Sequence, residues 1–211
     1  RIDCFKRETS GRKFLGRDCG CVIFMQDCDF LIIGSGPAGQ KAANQGSKAG
    51  LHVVLSESEK TIGGMCVHKG TIPSKALRES ASRFTSAHRL LKSDAPTELA
   101  PLMRNVDSVV DAHDKYICAQ LARNKVETYI GRASFINPTD VKVRQSGGKT
   151  LIFKAKNIFI ATGSKPRHPP NIDIDHEYIL DSDSILSMNY LPTSMIVAGG
   201  GVIACEYASV F

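Results

Sequence analysis

No apolar run in this sequence reaches the roughly 18–20 residues that a helix needs to cross a bilayer, so no transmembrane helix and no membrane partner are expected. A block of basic charge is also missing. Residues 1–24 hold six Lys/Arg against three Asp/Glu, and the rest of the net charge of +6 is spread over the remaining chain. Charge that diffuse argues against a nucleic-acid partner. The seven cysteines, at 4, 19, 21, 28, 66, 118 and 205, are odd in number and have no framework spacing. They read as small apolar residues in a reduced, cytoplasmic setting. Cys19, Cys21 and Cys28 have no histidine or second cysteine pair to complete four ligands, and no metal is expected.

What is present fits a globular chain. Its 211 residues, 42% hydrophobic and 23% charged, suffice for one domain and the start of another. Residues 1–24 show neither helical nor strand period and contain acids that a transit peptide avoids. They are expected to be an unstructured or non-native extension, with Met25 as the native start. At the other end the chain stops at Phe211 inside a helical pattern, as though cut.

Residues 29–34 (DFLIIG) read as a buried parallel strand running into Gly34-Ser35-Gly36-Pro37-Ala38-Gly39. A helix over 37–49 and a second strand, LHVVL at 51–55, complete a βαβ unit. Gly34 suits the tight turn, Gly36 the approach of a pyrophosphate, and Gly39 the close packing of helix on strand. The diphosphate would rest on amides at the helix N-terminus. Glu57 stands 23 residues after Gly34, where an acid accepts hydrogen bonds from a ribose. Gly63 and Gly64 follow, and TIPSKALRESASRFTSA at 71–87 predicts a helix with Ala76, Leu77, Ala81 and Phe84 on its apolar face. Cys66 is expected just ahead of that helix, where a thiolate is stabilised, with Lys75 close to its first turn.

Further helices are expected over 88–125, with a break near Ala95-Pro96. Strands are expected at 126–130, 141–144 and 151–154, and another of the buried type at 157–161, leading into Ala161-Thr162-Gly163. Residues 165–175 are rich in proline and charge and read as a connection. A strand at 195–198 then leads to a second glycine turn, Gly199-Gly200-Gly201-Val202-Ile203-Ala204, with alanine in its third position.

GGMCVHKGTIPSKALRES at 63–80 resembles the flavoprotein disulfide reductase family (lipoamide, glutathione and mercuric reductases), whose pattern is GG-x-C-x4-C-x-P-S-K. The resemblance covers residues 29–211. It departs at the second cysteine, where Thr71 stands and offers no sulfur to Cys66, so an internal disulfide at this motif is excluded. Cys66, His68, Gly70 and Thr71–Arg78 are similar to one branch, the soluble FAD-containing pyridine nucleotide transhydrogenases, as are DSDSILSM at 181–188 and GGGVIACEYASVF at 199–211. The resemblance implies an α/β fold: a Rossmann-like FAD-binding domain with a small β-meander, then the start of a second Rossmann-like domain for NAD(P). The expected divisions are 1–24, 25–164 for FAD, 165–192 as connection and 193–211 for NAD(P).

The implied cofactors are FAD and NAD(P), and the implied partners are nicotinamide dinucleotides and, in the whole protein, further copies of the chain. The implied activity is hydride transfer between NADPH and NAD+, which needs no dithiol. By the same resemblance Ala133 touches the adenine end of FAD, Ala161, Thr162 and Gly163 close its site, and Glu206 pairs with Lys75 near the flavin. A lysine cation there favours reduced flavin. Cys66 is either a small packed residue or a lone redox thiol. Three other activities stay open: a single-cysteine thiol or disulfide reductase, a dihydrolipoamide-dehydrogenase-like enzyme, and a non-catalytic FAD-binding fragment. The residues present are expected to bind FAD weakly and not to turn over alone.

Overall fold

Segments rich in Val, Ile and Leu line up as parallel strands, because residues apolar on both faces need cover on both. The structure, a computed structural model, describes residues 12–15, 22–92 and 98–211, with side chains from Met25 onward. Its strands are β1 (Arg12–Leu15), β2 (Val22–Ile33), β3 (Val53–Glu57), β4 (Glu127–Ile130), β5 (Arg132–Phe135), β6 (Asp140–Arg144) and β7 (Thr150–Ile160). Its helices are α1 (Pro37–Lys48), α2 (Gly64–His68), α3 (Thr71–Leu91), α4 (Leu99–Arg123) and α5 (Val202–Val210), with a 3-10 turn at Ser184–Ser187. No described helix is long and apolar enough to cross a membrane. Two compact units result: Arg1–Gly64 with His113–Gly163, and Met65–Ala112 with Ser164–Phe211.

The first unit is built on one sheet in the order β4-β3-β2-β7-β6-β5, with β1 antiparallel on β2. Strands β4, β3, β2 and β7 run parallel, whereas β5, β6 and β7 form an antiparallel meander. Strand β7 therefore belongs to both halves. Its alternate residues Leu151, Phe153 and Ala155 join Cys28, Leu31, Val54, Val141 and Val143 in one buried cluster. Helix α1 lies on β2 and β3 so closely that a side chain at Gly46 would meet the Phe30 ring at 2.8 Å. On its far side Asn44, almost fully buried, is satisfied by Gln120 at 3.0 Å and Asn124 at 2.8 Å, as a buried amide must be.

Several strand expectations need correction. Residues 12–15 and 22–24, expected without structure, are strand: Arg12–Leu15 pairs with Val22–Met25, and β2 stays in register with β7 from Phe24↔Leu151 to Ile33↔Ile160. Pairing with a distant partner leaves no local period to read. The strands expected at 151–154 and 157–161 are one continuous element. Its second half is not buried, since Phe159 and Ile160 are 39% and 61% exposed. The register accords with this: the pairing with β6 reaches only to Asp140 opposite Lys154, and beyond that point, among the described strands, only β2 flanks β7. The burial of Cys28 matches the apolar reading, and burial first, then Asp29, Asp27 and Glu127, push its thiol up to about 12. Cys118 differs from that reading in being disulfide-bonded.

The second unit is largely helical. Helix α3 runs four residues past the expected end, to Leu91, and Asn105 of α4 donates to Ser80 of α3 at 2.7 Å. The expected break near Ala95-Pro96 lies outside the described residues. Residues 195–198 are not a strand, because no other strand lies alongside them among the described residues and Ile196 is 95% exposed.

Candidate functional site

The first glycine turn is shaped by three different steric demands. Gly34 has φ +108°, and a Cβ there would lie 2.3 Å from the Ala161 carbonyl oxygen, so only glycine lets this turn pass the end of β7. A Cβ at Gly39 would lie 1.9 Å from the Gly34 oxygen, which makes Gly39 the contact that seats α1 on β2. Gly36 is different: a Cβ there would meet nothing within 4 Å. Its missing side chain leaves open space in front of the start of α1, where no side chain caps the helix and no acid occupies the first turn. Pro37 has no N–H, so Ala38 and Gly39 present the first amides that the helix itself leaves without acceptors. Open space in front of these amides, with no acid in the first turn of the helix, fits a diphosphate.

Glu57 ends β3 and is almost fully buried beside this turn. Its Oε2 accepts from the Ser35 backbone N–H at 2.8 Å and from Ser35 Oγ at 2.6 Å. Its Oε1 accepts from the Glu59 N–H at 2.9 Å and from Ser58 Oγ at 3.2 Å. Burial alone would push this carboxyl up, but the four donors outweigh it and hold Glu57 below its ordinary range. The Gly63 N–H in turn donates to Ser35 Oγ at 2.9 Å, and a Cβ on Gly64 would stand 2.9 Å from the Gly36 Cα. Three separate segments thus meet at the glycine turn.

The remaining residues of the first unit close the same end of the sheet. The Ala161 N–H donates to the Ile33 oxygen at 2.8 Å, so Ala161, Thr162 and Gly163 leave β7 directly beside Gly34. The Gly131 N–H donates to the Glu57 backbone oxygen at 2.7 Å, and Ser56 Oγ donates to the Gly131 oxygen at 3.0 Å. Two residues on, Ala133 pairs with Val143 and packs against the buried cluster of the sheet. Sequence reasoning passed over Ser35, whose partners lie 22 and 28 residues away. The only signal was its place between two glycines.

The second unit carries the other expected residues. Cys66 lies just ahead of α3, inside the five-residue helix α2, closed by the Lys69 N–H on the Met65 oxygen at 2.8 Å. It is half-buried and a free thiol. Thr71 is the exposed first residue of α3. Lys75, one turn further on, pairs with Glu206 of α5, so the two residues expected together are together. Lys69 reaches Asp183 at 3.7 Å. At the second glycine turn Gly199 has φ +133°, and Gly201 begins α5 without a side-chain cap. Here alanine stands in the third position, and a Cβ added at Gly199 would lie an ordinary 3.7 Å from that of Ala204.

Residues 28–211 match the family described as pyridine nucleotide-disulphide oxidoreductase. A soluble pyridine nucleotide transhydrogenase of Pseudomonas savastanoi pv. phaseolicola is 39% identical over 188 residues, and one of Vibrio atlanticus is 41% identical over the same length. Each alignment covers 87% of this chain and 40% of the relative, so the chain spans well under half of these proteins. Among solved structures, the HOCl-induced flavoprotein disulfide reductase RclA of Escherichia coli superposes with a TM-score of 0.76 at 30% identity, over 88% of this chain and 40% of that one. LpdA of Mycobacterium tuberculosis gives 0.70 at 27% identity, over 78% and 38%.

Proposed function

The chain belongs to the pyridine nucleotide-disulphide oxidoreductase family, and from that premise we propose that the protein is an FAD-dependent oxidoreductase passing hydride between NADPH and NAD+. The observation that carries the choice of reaction is Thr71. It occupies the place where a dithiol enzyme needs its second sulfur, and Cys66 is a free thiol. An exchange of hydride between nicotinamides needs no such sulfur, and relatives named soluble pyridine nucleotide transhydrogenase support the same reading.

Bound flavin would supply a two-electron carrier between one nicotinamide and the next. The chain's own residues bind and orient. The first-turn amides of α1, opened by Gly36, would hold the diphosphate, Glu57 the ribose, and Ala161–Gly163 the edge of the site beside Gly34. Lys75 would contribute a cation held in place by Glu206. Gly199, Gly201 and Ala204 would receive the nicotinamide dinucleotide at the start of α5.

Two measurements on the protein from its complete reading frame test this reading. Anaerobic titration with NADPH should take up about two electrons per flavin without a thiolate-to-flavin charge-transfer band. Uptake of about four would require a second redox centre and would overturn it. Cys66→Ala should retain transhydrogenation within about threefold, the scale of a small packing change. Loss of all turnover in that variant would instead favour reduction of disulfides through a lone thiol.

A further inference from the structure

Ser35 lies between two glycines whose roles are steric, yet it is completely buried and its hydroxyl both donates and accepts. It donates to Glu57 Oε2 and accepts from the Gly63 N–H, so one oxygen joins the end of β3 to the chain entering α2. We propose that Ser35 is the positioning residue of the dinucleotide site: its hydroxyl aims the Glu57 carboxylate and ties Gly63-Gly64 against the glycine turn. The proposal rests on the reading of this turn as the FAD site.

A carboxylate offers about four acceptor directions, and the protein fills all of those on Glu57. The four bonds are not equivalent. Both bonds to Oε2 come from Ser35, at 2.8 and 2.6 Å, whereas the longest of the set, 3.2 Å, comes from the exposed Ser58 hydroxyl to Oε1. A ribose hydroxyl can therefore replace Ser58 at Oε1 and leave the Ser35 clamp on Oε2 intact. Without the Ser35 hydroxyl, Glu57 would lose its shortest donor and the Gly63 N–H its acceptor, while the burial that disfavours charge would remain.

The groups bonded to Glu57 from the glycine turn and from residues 58 and 59 are all neutral donors. No cation among them can substitute. Because these donors lower the carboxyl, its ability to accept from a ribose persists above its ordinary 4.5 and fades as pH falls through the lowered value. Removing one donor moves that fading to higher pH.

FAD affinity of the full-length apoprotein, read by quenching of flavin fluorescence between about pH 8 and pH 5, tests this. Ser35→Ala is expected to bind FAD about tenfold to a hundredfold more weakly near neutrality, and to weaken further towards pH 5 where the parent stays flat. Glu57→Gln should be weak but flat with pH, and adding Ser35→Ala to it should cost clearly less than Ser35→Ala costs alone, because a large part of what Ser35 does passes through Glu57. Ser35→Ala with the parent's affinity and pH profile would overturn the proposal, as would independent effects in the double variant. If circular dichroism shows Ser35→Ala unfolded, Ser35→Cys, close to serine in size but a poorer hydrogen-bonding group, decides: weaker FAD binding that falls further towards pH 5 is expected, and the parent's affinity and pH profile would overturn the proposal. Failure of the parent itself to bind FAD would overturn the FAD-site reading rather than the part given to Ser35.

Discussion

Gly39→Ala should leave the first unit unable to hold its glycine turn, with its thermal midpoint lowered by roughly 6–12 °C and FAD binding lost with it. The added methyl would have to lie 1.9 Å from the Gly34 carbonyl oxygen, with Ile32 Cγ2 3.4 Å away. The nearest obstacle is backbone, so no side chain can rotate to make room. Helix α1 must lift from β2, and the contacts that close packing supplies, including that of Gly46 with Phe30, open with it. Overpacking costs typically 1–3 kcal/mol where side chains can adjust, and about 3 kcal/mol or more is expected here. For a chain of this size about 1 kcal/mol moves the midpoint by roughly 2–4 °C. Calorimetry of the variant checks the figure. A midpoint within about 2 °C of the parent would mean that α1 is not seated through Gly39.

The two glycine turns differ in their third position. At the first, a Cβ on Gly39 would run into the Gly34 carbonyl oxygen; at the second, alanine itself stands there as Ala204. The motif was legible in the sequence because its causes are local: a tight turn, an approach and a contact, all within six residues. The helix at 71–91 was legible for the same reason, through its apolar spacing.

Features made by distant partners were not legible. Neither RKFL at 12–15 nor VIF at 22–24 is long enough to show a strand period, yet both pair within the sheet. The opposite error occurred at residues 195–198, whose apolar run predicts a strand, but a strand needs a neighbour and none of the described strands flanks it. The burial expected for 157–161 failed in the same way, since composition does not reveal that β6 begins only at Asp140, opposite Lys154. In the site, the pairing of Lys75 with Glu206 spans 131 residues and was available only through the resemblance. The Ser35–Glu57 clamp spans 22 and is not implied by the motif, whose glycines alone are named.

Gly36→Val is expected to do the reverse of Gly39→Ala: to keep the fold and abolish the ligand. Gly36 has φ −63° and ψ −180°, extended backbone that valine adopts without strain, and a Cβ there meets no protein atom within 4 Å. Valine is a poorer N-cap than glycine, but it also has less freedom to lose on folding, and the two effects offset to within about 1 kcal/mol. The midpoint should therefore move by no more than roughly 4 °C. Binding is another matter, because the valine methyls would occupy the space through which a diphosphate reaches the Ala38 and Gly39 amides. Charge-assisted hydrogen bonds contribute about 1.5–3 kcal/mol each, so losing two weakens FAD binding about a hundredfold or more. Fluorescence quenching and calorimetry on the same preparation separate the two readouts. Intact FAD affinity in a folded Gly36→Val protein would show that the diphosphate does not approach there, and the open space would need another occupant. Loss of both fold and affinity would show instead that the space in front of α1 is filled by protein. Only the combination of an unchanged midpoint and lost affinity agrees with a glycine kept bare for a ligand, and it is the combination that a substitution at Gly39, three residues away in sequence, cannot produce.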